Sequence, residues 1–307
     1  MAHSLSIESW FTQQGLFWQY PVITEQEFYK QNRSHTGYLG FPWATVIDKK
    51  IKLQTVVSIL RPFLTTPGSR FTCCQHVSFR ALIPFFKHLN IHTVYSPHKV
   101  RGESTIKGVK IMACPLYAVN VEDPSRNAEF RGCDFMKRLR GLLYSFVGGL
   151  QPGYLSDIRQ NIFKMKHPPN TLVINTGEWH FNSTVYSDKQ NSKRELHVGE
   201  THMSKAKRYN EVLLNSRYSL CPSGSGPNSI RIWESLACGA IPVLLADTLD
   251  LPPHELWDRA IVRVREADVG TVPDVLSQID AAEEFLRRRN CLALYAYFRG
   301  NYRNVKA

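Results

Sequence analysis

The chain has 307 residues, 43% hydrophobic and 21% charged, which excludes widespread disorder and leaves room for two domains with separate cores. Thirty-eight Lys and Arg against 26 Asp and Glu give a formal charge of +12, favouring anionic company: nucleic acid, an anionic membrane face or a phosphorylated substrate. Seven cysteines, at 73, 74, 114, 133, 221, 238 and 291, include no C-x-x-C pair, which points to free thiols rather than zinc or dithiol redox chemistry.

The first twenty residues, "MAHSLSIESWFTQQGLFWQY", lack the basic start and apolar core of a secretory signal. No stretch approaches the roughly 20 apolar residues of a spanning helix. The expectation is a cytoplasmic protein, with possible residence at the inner membrane face. In the cytosol the Asn32 and Asn182 sequons are chance triplets.

The first third is irregular, mixing aromatic and polar segments. "VSFRALIPFFKHL" has helical spacing, "IHTVYSPH" is a short β-branched run ending in a loop, and "GVKIMACPLYAV" is another buried strand. Residues 122–138, polar and turn-rich, suit a domain boundary. The expected division is therefore 1–138, 139–290, and a closing tail at 291–307 packing back across both.

After 138 the pattern becomes regular. "GLLYSFVGG" ends a strand in two glycines, "YLSDIRQNIFKM" is helical and "TLVINTG" strand-like. "KAKRYNEVLLNS", "RYSLC", "NSIRIWESLAC" and "AIPVLL" continue the alternation, and "PPHELW", "AIVRV" and "VPDVLSQIDAAEEFLRRR" extend it. Short apolar runs alternating with helices predict an α/β protein with parallel sheets wrapped by helices. Such sheets bind ligands beyond the carboxyl ends of their strands.

One loop of this kind, 222–229, separates a strand from a helix. Gly224 and Gly226 permit positive φ and leave space for a ligand. Asn228 or Ser229 is placed to cap the next helix, whose N–H groups and dipole favour an anion. At about 100° per residue, Ile230, Ile232, Trp233, Leu236 and Ala237 share one face of that helix, and Arg231, Glu234, Ser235 and Cys238 the other. Arg231 suits a phosphate and Glu234 a ribose diol. The plainer reading is an ordinary turn followed by a surface Arg–Glu pair. The loop matches neither G-x-G-x-x-G nor a P-loop, yet the conjunction favours nucleotide-phosphate binding.

This stretch resembles the signature of the exostosin-type glycosyltransferases. Its residues are Ser216, Tyr218, Leu220, Pro222, Gly224, Gly226, Ser229, Arg231, Glu234, Gly239, Pro242 and Val243, with Asp247 and Leu251-Pro252 following. Upstream, "YSFVGG" (144–149) with Arg159 is similar to the family's earlier strand–glycine–helix element. The resemblance covers roughly residues 140–260, and the shortness of the chain suits a compact bacterial or viral member.

The resemblance implies two Rossmann-like domains facing a cleft (GT-B), the first holding the acceptor and the second a nucleotide-sugar donor. It implies inverting transfer without a bound metal, and the chain contains no D-x-D triplet. The donor nucleotide and its phosphates fall to Gly149, Arg159, Ser223, Gly224, Ser225, Gly226, Asn228, Ser229, Arg231 and Glu234, with Glu234 on the ribose by family position. Arg231 also serves catalysis by meeting charge on the leaving diphosphate. A base must take the acceptor proton. His98, just past a strand's carboxyl end, is the first candidate, followed by His76, Asp123 and Glu103. No organic cofactor is expected. The partners are a nucleotide sugar, UDP-linked by preference, and an oligosaccharide or lipid-linked glycan of cell-surface polysaccharide synthesis.

Other classes stay open. An epimerase or dehydrogenase lacks a dinucleotide fingerprint near the N-terminus. A nucleic-acid binder is suggested by charge alone, because the basic residues are dispersed and no known module appears. A catalytically silent nucleotide- or glycan-binding protein is separated from an enzyme by turnover. Trp43, Trp179 and Trp257 suit sugar stacking or, more ordinarily, a core. The basic, aromatic tail suits an anionic membrane or, more ordinarily, a packed closing helix.

Overall fold

The computed structural model describes residues 6–64, 68–177 and 200–304. The chain forms two compact units. The first combines Met1–Pro115 with Asp250–Pro252 and Asn301–Ala307, and the second comprises Leu116–Leu249 and Pro253–Gly300. The division thus precedes the polar stretch at 122–138 instead of following it. That stretch is committed to the second unit because it buries Phe130 in a cluster with Tyr209, Leu213 and Leu214. The closing segment divides too. Helix Ala281–Arg299 packs on helices Ile230–Cys238 and Trp257–Ala260, and only the residues after Gly300 belong to the first unit.

In the first unit, strands β1 (Arg70–Cys73), β2 (Ile91–Ser96), β3 (Thr105–Ile106) and β4 (Val109–Ala113) form a sheet in the order β1-β2-β4-β3. β1, β2 and β4 are parallel, and β3 pairs antiparallel with β4. Because alternate residues point to opposite faces, Ile91, Val94, Val109 and Ile111 join one core with Phe11, Phe41, Trp43, Phe79 and Phe86. Phe71, Cys73 and Tyr95 join another with Phe28, Cys114 and Tyr302. The region that looks irregular in sequence holds four helices, Ile7–Gln13, Thr24–Asn32, Trp43–Asp48 and Leu53–Leu60. The helix expected over 77–89 is a 3-10 turn, Phe79–Leu82, followed by Ile83–His88 with Pro84 in its first turn, where proline is tolerated.

In the second unit, β5 (Leu142–Gly148), β6 (Thr171–Asn175), β7 (Ser216–Pro222), β8 (Ile241–Leu245) and β9 (Val262–Arg263) form an all-parallel sheet in the order β6-β5-β7-β8-β9. Its strands read as continuous apolar runs because helices cover both faces; every residue of β8 is buried. The α/β class read from the sequence is the class observed. Helix Ile230–Cys238 ends at Gly239, whose φ of 69° is left-handed, a conformation open to glycine at little strain. The single periodic run at 272–289 resolves into Val272–Ser277 and Ala281–Arg299, the latter capped by Asp280, which accepts from the Glu283 amide at 2.7 Å.

Trp43 and Trp257 are both core residues. Trp43 is fully buried and donates to Thr72 Oγ1, and Trp257 stacks on Phe298. Trp179 lies outside the described residues. All seven cysteines are free, and no metal-binding group of His, Cys, Asp and Glu occurs among the described residues. No described helix is long and apolar enough to cross a membrane.

Candidate functional site

From β5 the chain passes to β6 on one side, then returns to β7 on the other and continues outward through β8 to β9. The order therefore reverses between β5 and β7, and a crevice opens beyond their carboxyl ends at such a switch point. The two glycine-bearing loops, Gly148-Gly149 after β5 and Ser223–Gly226 after β7, both begin there. The parallel register pairing Ser145 with Ser219 sets them side by side.

Two arginines converge on these loops. Arg159, half-buried, donates from Nε to the Ser223 carbonyl (2.9 Å) and from Nη1 to the Gly149 carbonyl (3.0 Å). It ties one loop to the other. Its guanidinium lies over the Tyr154 ring at 4.5 Å and near that of Phe146 at 5.7 Å. Burial, helped by the Arg231 charge, pushes its pKa down to about 10, so it stays cationic at neutral pH.

Arg231 is buried, with its guanidinium 4.7 Å from the Phe146 ring and 5.3 Å from that of Tyr209. Nη2 donates to the Val147 carbonyl, whereas Nε has no hydrogen-bond partner among the described residues. Gly148 leaves room for this packing, since a Cβ there would lie 3.0 Å from Arg231 Nη2. Among the described residues neither guanidinium forms an ion pair; neutral carbonyls, a phenol and ring faces hold them. Two adjacent cations with no carboxylate at ion-pair distance favour an anion beside them.

The open helix face expected for Arg231 and Glu234 does not exist. Every residue from Arg231 to Cys238 is buried, because β8, helix Ala281–Arg299 and helix Val119–Glu122 all pack on this helix. Glu234 is no partner of Arg231 at ion-pair distance. Its Oε2 accepts from the Tyr209 hydroxyl (2.7 Å) and its Oε1 from the Asn120 amide (3.1 Å). Burial raises its pKa, while those two donors and the nearby arginines oppose the rise. The surface-pair reading fails, and so does a freely presented carboxylate.

The loop differs from expectation in detail. Gly224 does not adopt positive φ. Its lack of a side chain is needed for space, since a Cβ there would lie 2.9 Å from Arg159 Nη2. The Gly224 amide bonds the Gly226 carbonyl (3.0 Å) and the Ser223 amide bonds Leu245 (3.0 Å), so both point inward. The Ser223 hydroxyl donates to Glu266 (3.0 Å). Ser225 is exposed at the loop tip. Neither expected side-chain cap forms: Ser229 occupies the N-cap position without one, and Asn228 Oδ1 accepts from Trp233 Nε1 (3.2 Å).

His98 lies in the first unit, beyond the carboxyl end of β2. It is buried, and its Nδ1 has no hydrogen-bond partner among the described residues. Burial, then His76 and Arg80, push its pKa down to about 3, so the ring is neutral. His76 uses both nitrogens: Nδ1 accepts from the Ser78 amide (2.9 Å), which leaves the proton on Nε2, facing Asp48 (3.0 Å). Glu103 is paired with Arg80. Asp123 belongs to the second unit and accepts from Ser125.

Residues 105–279 match the exostosin GT47 domain. The chain belongs to this family. Over 151 residues it is 30% identical to the exostosin-1 homolog of Caenorhabditis elegans, covering 48% of this chain and 37% of that protein. Over 84 residues it is 37% identical to a probable glucuronoxylan glucuronosyltransferase, IRX7, of Arabidopsis thaliana, covering 27% of this chain and 19% of the relative. A probable beta-1,4-xylosyltransferase from the same plant, IRX10, is 36% identical over 87 residues, 28% of this chain and 21% of its own. The chain matches well under half of the length of each.

The exostosin motif points to Arg159, Arg231 and the two loops, but not to the groups that hold them. Phe146 stands inside "YSFVGG" as an unassigned apolar residue. Tyr209 lies in a helix, 25 positions before its partner Glu234, and no local pattern links the two.

Proposed function

We propose that this exostosin-family chain is a glycosyltransferase that moves a sugar from a nucleoside-diphosphate donor to a glycan or glycolipid acceptor with inversion. The observation that carries this reading is the guanidinium pair around Phe146, at the carboxyl edge of a parallel sheet and without a carboxylate partner. A donor diphosphate supplies the missing negative charge. As the anomeric C–O bond breaks, its electrons pass to the diphosphate oxygen, and fixed cations meet that growing charge without reorganising. A metal is not required for that task. Uridine is the preferred nucleoside.

In this reading the second unit holds the donor, and transfer requires the acceptor oxygen to bond to the anomeric carbon and give its proton to a base.

The test is calorimetry with uridine diphosphate and with inorganic pyrophosphate, in excess chelator, followed by release of nucleoside diphosphate from nucleotide sugars with acceptor present. Binding that survives chelation, with turnover, is expected. Absence of binding to either probe overturns the donor site, and binding without turnover to any donor and acceptor leaves a silent nucleotide-binding protein.

A further inference from the structure

The arrangement around Arg231 contains a group that no motif singles out. Among the described residues its guanidinium makes one hydrogen bond, to the Val147 carbonyl, and Nε has no partner. One hydrogen bond fixes a point and leaves the plane of the group undetermined. The plane is set by two aromatic faces, Phe146 at 4.7 Å and Tyr209 at 5.3 Å, through cation–π attraction that gains from burial.

Tyr209 is itself held. Its ring sits in a cluster with Phe130, Leu213, Leu214, Cys238 and Ala240. Its hydroxyl, buried, meets Glu234 Oε2 at 2.7 Å. Glu234 is enclosed, 3% exposed, and its second oxygen is taken by the Asn120 amide.

We infer that Tyr209 is a positioning residue for the Arg231 guanidinium. This rests on the reading that Arg231 faces a diphosphate. A chain of contacts then runs from the Asn120 backbone through Glu234 and the Tyr209 ring to the cation. Removing the ring lets the guanidinium rotate and reduces its grip on any diphosphate, whatever nucleoside is attached. Removing the phenolic hydroxyl leaves the ring held by its apolar cluster.

The experiment compares Kd for pyrophosphate and for uridine diphosphate in the full-length chain and its variants, with folding checked by circular dichroism. Tyr209→Leu should weaken both probes by the same factor, about tenfold. Tyr209→Phe should restore most of the affinity. In an Arg231→Met background the Tyr209→Leu loss should vanish; a loss that persists there marks a general structural defect and overturns the proposal, as does a folded Tyr209→Leu protein with unchanged affinity. Tyr209→Met, a smaller change, is read where the leucine variant misfolds, and a folded methionine variant with unchanged affinity for both probes likewise overturns the proposal. Wild-type protein that binds neither probe overturns the diphosphate reading itself, and this inference with it.

Discussion

The two sheets share an architecture and differ in the charge gathered at their carboxyl edges. Around the ends of β1 and β2 the first unit collects acids and imidazoles, nearly all matched. Asp48 meets His76 and Gln19, Glu103 meets Arg80, and Glu25 accepts from the Gln75 and Ala44 amides. Around the ends of β5 and β7 the second unit collects guanidiniums bonded, among the described residues, to neutral carbonyls and a phenol and set against rings. The parallel sheet supplies the position in both cases, and side-chain chemistry decides what can bind. A satisfied network stabilises its own unit, whereas an unneutralised one leaves work for a ligand.

The strongest way to break this contrast is Arg231→Lys. Lysine keeps the charge and loses the planar fork. Turnover should fall about 100-fold, with a smaller change in KM, the pattern of a contact made chiefly in the transition state. Steady-state kinetics decide it, and near-normal turnover would remove Arg231 from the reaction.

Next in size is Gly224→Ala, which puts a Cβ 2.9 Å from Arg159 Nη2. Arg159 is half-buried and can move aside, so the fold should survive while diphosphate affinity drops roughly tenfold, about 1.4 kcal/mol. Equal affinity in calorimetry would mean that Arg159 serves the loops alone.

The acidic edge should reveal itself through pH. Burial pushes the Glu25 pKa from 4.5 up to about 8, against its backbone hydrogen bonds and with help from Asp48. The folded state then holds a proton that the unfolded state gives up. The associated stability is full below about pH 4.5 and lost as pH rises through about 8. His98 acts in the opposite sense. Burial lowers its pKa from 6.5 to about 3, so its contribution is present above about pH 6.5 and lost as pH falls towards 3. Between pH 6.5 and 8 the Glu25 contribution falls by up to about 1.4 kcal/mol per pH unit. Denaturant melts across that window should show stability falling more steeply with pH in the wild type than in Glu25→Gln. Parallel slopes would show that Glu25 is ionised when folded.

The smallest effect belongs to Ser225→Ala. Ser225 is exposed at the loop tip, and water can replace its hydroxyl, so diphosphate affinity should stay within about twofold. A tenfold loss would make the loop tip a direct phosphate ligand.

Much of the second unit was legible in advance. Five short apolar runs separated by helical segments can bury both faces only as a parallel sheet, and the loop after "RYSLC" lies at its carboxyl edge. The first unit was less readable. β1 has only four residues, and the helix Thr24–Asn32 mixes aromatic and charged residues without a clean apolar stripe, because two separate cores take its residues. The polar face assigned to Arg231 and Glu234 was misjudged for a related reason. A helical wheel sorts residues by type, and a helix enclosed by a strand and two helices has no solvent side.

Residue type and spacing were sufficient for the α/β class, the alternation of strand and helix in the second unit, and the cationic loop with its exostosin resemblance. These are local properties, set by backbone periodicity and by which residues suit a turn. Which groups meet was settled by packing across long separations. Arg159 reaches Ser223 over 64 positions, Arg231 reaches Val147 over 84, and Glu234 reaches Asn120 over 114. Burial of this kind changes what a side chain does. It turned Glu234 from a presented carboxylate into an internal acceptor and His98 from an ordinary imidazole into a weakly basic one, because desolvation depends on neighbours that lie far away along the chain.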